Sequence, residues 1–264
     1  MADKFNAIVI DQDGENFKRE IKSLDLDFLD QGEVLVKVDY SDLNYKDALI
    51  LHNGGKLVKD FPRIPGIDLS GKVLESSAEE FKKDDEIIVT GSRVGEIFHG
   101  GFSQMAKIKK ELLIKKPNNL TSKQSMILGT AGFTALLCAF AVNAREEILL
   151  GEKVSDVLVT GATGGVGTVA VMALSKIGYN VTAVTGKPNQ ETMLKKLGAK
   201  NVISRTEFDA EPKLLGKGLW DGVIDTVGGN ILANAISQTK HSGIVAACGN
   251  AGGIKINTTV MPFI

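Results

Sequence analysis

The amino-acid sequence predicts an α/β protein with two parts: an antiparallel β-domain over residues 1–117 and a doubly wound parallel sheet over residues 118–264. Two observations lead to this prediction. Before Pro117 the apolar runs are short, rich in Val and Ile, and irregularly spaced, which is typical of an antiparallel barrel or sandwich. From residue 157 the pattern becomes strand, glycine-rich turn, helix and strand, which is typical of a parallel sheet with right-handed crossovers.

The individual elements follow from the same patterns. In the first part, strands are predicted at residues 7–10, 33–39, 71–75 and 85–90, with two more within residues 102–114. Thr121 and Gln124 match a capping box that begins a helix, and residues 131–144 form a second helical stretch. Further strands are predicted at residues 157–160, 181–184, 202–204, 221–227 and 243–248, with helices at 166–177, 191–197 and 231–238.

Composition excludes several classes of protein. The 31 Lys and Arg residues balance 32 Asp and Glu, so we expect neither a nucleic acid nor a membrane surface as partner. The N-terminus lacks the pattern of a secretion signal, and no apolar run is expected to reach membrane-spanning length. These features predict a cytoplasmic protein.

The metal-ligating residue types are sparse. Cys138 and Cys248 are the only two cysteines and lie far apart in the sequence, so we expect two reduced thiols that act as small apolar residues. The three histidines, His52, His99 and His241, are not at the spacing of metal ligands. No metal site is predicted.

A glycine-rich turn carries the main functional signal. The strand at residues 157–160 leads into Gly161, Ala162, Thr163, Gly164, Gly165, Val166 and Gly167, and a helix follows. Glycines let the backbone approach a pyrophosphate, and the helix N-terminus favours its negative charge. The spacing is a variant of G-x-G-x-x-G, and the alternative is a tight turn with packing glycines. In this strand and helix context we interpret it as a dinucleotide site.

The end of the second parallel strand predicts which dinucleotide binds. Sites that prefer NAD usually place Asp or Glu there to bind the ribose 2′-hydroxyl. This chain has Thr185, Gly186 and Lys187 instead, and Arg205 follows the neighbouring strand. We expect Lys187 and Arg205 to bind a 2′-phosphate, with a hydrogen bond from Thr185. NADPH is therefore the predicted cofactor, and two solvated surface cations are the alternative.

Several segments together carry a family resemblance. They are LNYKDAL (43–49), IPGID (64–68), GTAGFTA (129–135), VTGATGGVG (159–167), IDTVG (224–228) and VAACG (245–249). In this order they resemble the medium-chain dehydrogenase/reductase superfamily, and more closely its zinc-free YhdH/YhfP-type quinone oxidoreductases, which include acrylyl-CoA reductases. The resemblance implies a GroES-like β-domain, a Rossmann domain with NADPH in the cleft between them, and a homodimer. It also implies further sheet strands after Ile264, so the Rossmann domain is expected to be incomplete here.

The resemblance places Asn44, Tyr45 and Asp47 beside the nicotinamide. Tyr45 is expected to contact the cofactor, orient the substrate or deliver a proton. Asn44 and Asp47 are expected either to bind the substrate carbonyl or only to cap the following helix. Cofactor contacts are also expected for Thr134, Asn250 and Ile264.

The expected reaction follows from the lack of zinc ligands. Ile67 and Asp68 follow Gly66 where zinc alcohol dehydrogenases of this superfamily have a His and an acidic residue, and no Cys lies near Asn44. Zinc would act as a Lewis acid on an alcohol oxygen. We therefore expect hydride transfer from NADPH to an enoyl-CoA, an enone or a quinone. The alternatives are an NADPH-binding sensor or scaffold with little turnover and, more distantly, a zinc alcohol dehydrogenase.

Overall fold

A computed structural model describes residues 4–29, 31–148 and 155–264 of the chain. It separates into two compact units, Met1–Thr130 and Ala131–Ile264. The N-terminus, which lacks the pattern of a secretion signal, begins with residues 1–3, and these lie outside the described residues. The sequence-based boundary at residue 117 stays a prediction.

The first unit is an antiparallel β-structure, as predicted. Its elements are β1 (Phe5–Asp13), β2 (Asn16–Leu24), β3 (Val34–Ser41), α1 (Tyr45–Asn53), β4 (Asp68–Ser76), β5 (Glu86–Thr90), β6 (Met105–Ile108) and β7 (Ile114–Lys115). Strands β1 and β2 form a hairpin, and the others pair antiparallel in the order β6-β3-β4-β5-β7. Alternate residues such as Val34 and Val36 are fully buried in its core, because side chains of a strand point to opposite faces in turn.

The second unit contains the parallel sheet. Its elements are β8 (Asp156–Val159), α3 (Gly165–Ile177), β9 (Asn180–Thr185), α4 (Glu191–Lys196), β10 (Asn201–Ser204), α5 (Arg205–Phe208), β11 (Trp220–Asp225), α6 (Gly229–Ser237) and β12 (Thr239–Ala247). The strands are parallel in the order β10-β9-β8-β11-β12. The strand order therefore reverses between β8 and β11, and ligands of such sheets bind at the carboxyl ends of the strands beside this switch point.

The helix α2 (Ser122–Ile148) begins where the sequence predicts. Gln124 N donates to Thr121 Oγ1 at 3.2 Å, and Thr121 N donates to the Gln124 side chain at 2.9 Å, which completes the predicted capping box. The backbone leaves helical geometry at Gly129, with φ 49° and ψ −157°. Only glycine adopts this conformation readily, so Gly129 separates two helical segments.

Helix α2 corrects one expectation. By length and composition alone, Ser122–Ala144 is apolar enough to cross a membrane, so the expectation that no run reaches that length is wrong. A buried core helix meets the same criterion. Ala135, Ala139 and Val142 belong to the core of the second unit, so this face of the helix is buried.

Candidate functional site

The glycine turn joins β8 to α3 at the switch point. Gly161 has φ +59°, and a Cβ there would overlap Thr226 Oγ1. A Cβ at Gly167 would overlap the Gly161 carbonyl oxygen and lie 2.6 Å from Ala162 Cα. Both positions therefore require glycine for α3 to pack against the turn. This packing places the N-terminus of α3 at the edge of the sheet where the strands have their carboxyl ends.

A buried carboxylate holds the loops that follow β8 and β11 at this edge of the sheet. Asp225, at the end of β11, is fully buried and accepts from Thr160 Oγ1 at 2.5 Å and from Gly228 N at 2.8 Å. Thr226 N donates back to Thr160 Oγ1 at 3.2 Å. Burial raises the pKa of Asp225, and these hydrogen bonds oppose the rise. Sequence reasoning missed this role, although one acidic residue inside the apolar run VIDTV is a usable signal.

A cavity of about 350 Å³ opens beside the glycine turn. This volume lies at the lower end of the range for small-molecule sites. The cavity is lined by Gly161, Thr163, Gly164, Val184, Gly186, Lys187, Arg205, Thr226, Val227, Ile231, Ala251 and Gly252. The structure thus brings the glycine turn together with both cations predicted to bind a 2′-phosphate.

The two cations lie together because strands β9 and β10 end level with each other. Thr185 pairs with Ser204 in the parallel register, so Lys187 and Arg205 follow neighbouring strand ends. A Cβ at Gly186 would lie 3.3 Å from Arg205 Nε, which puts the guanidinium against the backbone after β9. Both side chains are exposed, and the described residues place no carboxylate at the end of β9. This arrangement suits a phosphate ligand.

Thr185 has a different position from the one expected. Its side chain is buried, its hydroxyl accepts from Lys187 N at 3.0 Å, and it shares a 3.1 Å hydrogen bond with Thr163 Oγ1. This geometry favours a role in holding the loop that carries Lys187.

The other predicted cofactor residues do not line the cavity formed by the described residues. Ala162 is fully buried beneath the turn, while Gly165, Val166 and Gly167 lie in the first turn of α3. Three more lie elsewhere in the second unit: Thr134 on α2, Asn250 in the loop after β12, and Ile264, which is 87% exposed. Tyr45, also expected to contact the cofactor, lies in the first unit. Their predicted contacts stay predictions.

The first unit places Asn44 and Asp47 at the start of α1. Asp47 is fully buried, and its carboxylate accepts from Asn44 N at 2.9 Å and from Ile67 N at 3.0 Å. Burial raises the pKa of Asp47, against the effect of these hydrogen bonds. The geometry favours the capping alternative for Asp47, because its oxygens are occupied by backbone donors.

Tyr45 is the first residue of α1 and is 61% exposed. Its neighbour Lys46 forms an ion pair, with its Nζ 2.8 Å from the buried carboxylate of Glu96. The exposed ring of Tyr45 is available to a ligand.

Next to α1 lies a pair of carboxyl groups that the sequence analysis did not single out as a pair. Asn44 Nδ2 donates to Asp42 Oδ1 at 2.7 Å and to Asp68 Oδ2 at 3.0 Å. Asp68 is fully buried and also accepts from Gly91 N at 2.9 Å and from the backbone and hydroxyl of Thr130, both at 2.6 Å. Burial and the charge of Asp68 raise the pKa of Asp42 to about 8. Asp42 therefore holds a proton at neutral pH and hydrogen-bonds to Asp68.

The donor chemistry around Asp68 does not suit a metal ion. Both oxygens of its carboxylate already accept hydrogen bonds from the protein. Within the described part of the chain, no group of three or more His, Cys, Asp or Glu residues is placed to hold a metal. His99 Nδ1 accepts from Ile64 N at 3.1 Å, and its ring stacks on Phe28, so its role there is structural.

Family comparison agrees with this architecture. Residues 30–118 match the alcohol dehydrogenase GroES-like domain, and residues 165–264 match the zinc-binding dehydrogenase family. Acrylyl-CoA reductase AcuI of Ruegeria pomeroyi is 45% identical over 263 residues, which cover 98% of this chain and 79% of that protein. The chain belongs to the medium-chain dehydrogenase/reductase family.

Other members of this family are similar over the same length. The putative quinone oxidoreductase YhfP of Bacillus subtilis is 41% identical, covering 100% of this chain and 79% of that protein, and its crystal structure with NAD bound matches with a TM-score of 0.91. The YhdH oxidoreductase of Salmonella enterica, crystallised with NADP, is 44% identical with a TM-score of 0.92, covering 98% of this chain and 79% of that one. The chain is an oxidoreductase of this family, and the predicted fold class is confirmed.

Proposed function

We propose that this chain is a zinc-independent, NADPH-dependent reductase that transfers hydride to an activated C=C bond or to a quinone. The observation that carries the proposal is the cavity beside the glycine turn, which Lys187 and Arg205 line. These two cations follow the ends of β9 and β10, which lie level with each other in the sheet. An enzyme that binds the 2′-hydroxyl of NADH needs an acceptor at this place. Two cations instead favour the extra phosphate of NADPH.

The cofactor is NADPH, and the residues of the cavity fit it. The Gly161–Gly164 turn and the first turn of α3 hold the pyrophosphate, because glycines leave the backbone accessible and the helix dipole is positive there. Asp225 keeps this turn in place through Thr160. Lys187 and Arg205 bind the 2′-phosphate. When bound, NADPH supplies the hydride from C4 of its nicotinamide.

On the substrate side we assign Tyr45 as the residue that meets the ligand. Its exposed hydroxyl orients the substrate or donates the proton that follows hydride addition. Asn44 and Asp47 hold the start of α1 and thereby the direction of the Tyr45 side chain. A substrate whose own carbonyl withdraws electrons needs no Lewis acid, which agrees with the hydrogen-bonded state of Asp68.

The relatives guide the choice of substrates. AcuI bears the name acrylyl-CoA reductase and YhfP the name putative quinone oxidoreductase, so an α,β-unsaturated acyl-CoA, an enone and a small quinone are the compounds to compare. We further propose a cytoplasmic homodimer, and light scattering of the purified protein tests its oligomeric state directly.

The test is NADPH oxidation followed at 340 nm with acrylyl-CoA, an enone and a quinone, using protein treated with a chelator and assayed for metal. We expect turnover without zinc, and a lower kcat for Tyr45→Phe, since this variant loses only the hydroxyl. Tight NADPH binding without turnover on any acceptor would instead favour a sensor or scaffold. Turnover that depends on one zinc ion per chain would contradict zinc independence.

A further inference from the structure

We propose that a proton carried by Asp42 and directed at Asp68 holds the start of α1 in the position in which Tyr45 meets its ligand. Loss of this proton in alkaline solution frees the segment at residues 42–45, so ligand binding at Tyr45 depends on pH. The proposal rests on the role assigned to Tyr45 in the proposed function. Asp42 is a positioning residue in this scheme, because it acts on Tyr45 through Asn44.

Asp68 is the charged member of the carboxyl pair. It is fully buried at the start of β4. Its Oδ1 accepts from Gly91 N at 2.9 Å and from Thr130 Oγ1 at 2.6 Å. Its Oδ2 accepts from Thr130 N at 2.6 Å and from Asn44 Nδ2 at 3.0 Å. Donors of this kind favour the charged form of a carboxyl group, and here they come from three different segments of the first unit, so Asp68 is held in place.

Asp42 meets Asp68 from the segment before α1. Its Oδ1 accepts from Asn44 Nδ2 at 2.7 Å, and the same nitrogen donates to Asp68. A Cβ at Gly129 would lie within 2.7 Å of both Asp42 Oδ2 and Asp68 Oδ2, so these two oxygens are neighbours in the space that the glycine leaves open. Two charged carboxylates repel each other when they share a site, unless one of them carries a proton. Because Asp68 is the charged one, the proton belongs to Asp42.

The acidic groups around Asp42 act in the same direction. Burial is the main cause that raises the pKa of Asp42 to about 8, and the charges of Asp68 on β4 and Asp47 on α1 add to it. The hydrogen bond from the Asn44 side chain opposes the rise. The proton is therefore present at neutral pH and is lost in mildly alkaline solution.

The cations on the neighbouring segments are engaged elsewhere. On α1, Lys46 Nζ lies 2.8 Å from Glu96 Oε1, and in the loop after β5, Arg93 Nε lies 3.8 Å from Glu96 Oε2. Glu96 is buried, so these cations face its carboxylate. A charged Asp42 would thus meet Asp68 with no compensating charge from these two described segments. Asp42 is only half-buried, and we expect its side chain to turn towards solvent once it is charged.

Asn44 connects the carboxyl pair to Tyr45. Asn44 is the residue before α1, and Tyr45 is the first residue of that helix. While Asp42 is protonated, the Asn44 amide is held by both carboxyl groups. When Asp42 turns away, Asn44 keeps only its contact with Asp68, and the start of α1 becomes more mobile. A ligand that uses the Tyr45 ring then has to order this segment on binding, which costs affinity.

Hydrogen exchange of the whole chain tests the proposal without any substrate. Asp42→Asn and Asp42→Ala are the matched variants: the asparagine has a permanent donor in place of the proton and keeps an acceptor for Asn44, whereas the alanine has neither. In the wild type, protection of the peptide at residues 42–49, corrected for the intrinsic effect of pH on exchange, should fall several-fold as pH rises through the pKa of Asp42, about 8. Asp42→Asn should stay protected on both sides of this pH, and Asp42→Ala should be less protected on both sides.

Steady-state kinetics at saturating NADPH tests the link to Tyr45. Over the same pH range the KM for the acceptor should rise several-fold in the wild type relative to Asp42→Asn, with a smaller change in kcat. Equal exchange profiles of the wild type and Asp42→Asn, or equal protection of the two variants, would overturn the proposal. A KM ratio that stays constant with pH would overturn the role of the carboxyl pair at Tyr45. Absence of turnover in all three proteins would instead count against the proposed reductase activity, because the exchange measurement needs no acceptor.

Discussion

Replacing Lys187 and Arg205 together by alanine is expected to weaken NADPH binding while leaving NADH binding nearly unchanged. Both side chains line the same cavity, and the register of β9 with β10 puts them at the same edge of the sheet. Only NADPH carries a phosphate at the 2′ position. The difference between the two dinucleotides therefore isolates the contribution of these two cations.

The expected size follows from the exposure of the two side chains. A hydrogen bond to a charged group contributes about 1.5–3 kcal/mol when it is well shielded. Lys187 and Arg205 are both exposed, so solvent screening reduces each contact to about 1–1.5 kcal/mol. Together they give about 2–3 kcal/mol, which is a loss of about 30- to 150-fold in NADPH affinity.

Titration calorimetry of both dinucleotides against wild type and variant measures this effect. The loss should shrink at high salt, because ions screen contacts between exposed charges. Arg205→Lys is the control, since it keeps the charge but removes the planar guanidinium, and it should retain part of the NADPH preference. An equal loss of NADPH and NADH affinity, or no loss of either, would refute the assignment of the 2′-phosphate site.

Three further predictions concern the turn, the helix that packs on it and the carboxyl pair. Gly164→Val should fold normally, because a Cβ there approaches only the Gly161 carbonyl oxygen, at 3.3 Å. It should bind neither dinucleotide well, because the valine side chain occupies the space into which the pyrophosphate is proposed to bind; unchanged affinity by calorimetry would argue against a phosphate at this place. Gly167→Ala should lower the melting temperature, since its Cβ would overlap the turn, and a thermal scan equal to wild type would contradict this packing. Asp42→Asn should change how stability depends on pH. The folded pKa of Asp42, about 8, is above its ordinary value of 3.8, so its contribution is fully present below about pH 4 and is lost as pH rises towards 8. The asparagine side chain has no such proton to lose, so urea unfolding should show the variant gaining on wild type between pH 5 and 8. The full pKa shift would give about 4 kcal/mol over this range, and solvent screening at a half-buried group reduces the expected gain to about 2 kcal/mol; parallel pH profiles would exclude a protonated Asp42.

The order of the elements and the class of the cofactor site follow from local patterns in the amino-acid sequence. Strand and helix periodicity are local properties of the chain, and the observed β8 to β12 and α3, α4 and α6 lie close to their predicted positions. The residues of the glycine turn are contiguous in the sequence, and so are the residues that follow β9. Once a parallel sheet is predicted, the ends of neighbouring strands must lie at one edge, which brings Lys187 and Arg205 together.

Contacts between residues distant in sequence were not predictable in this way, because they arise from packing in three dimensions. The capping box of α2 is local and was predicted, but the break at Gly129 was not, because its cause lies in β4 and the segment before α1: a Cβ there would overlap Asp42 Oδ2 and lie 2.7 Å from Asp68 Oδ2. Side-chain contacts of this kind depend on which face of each element packs against another, and a one-dimensional pattern gives the face but not its partner.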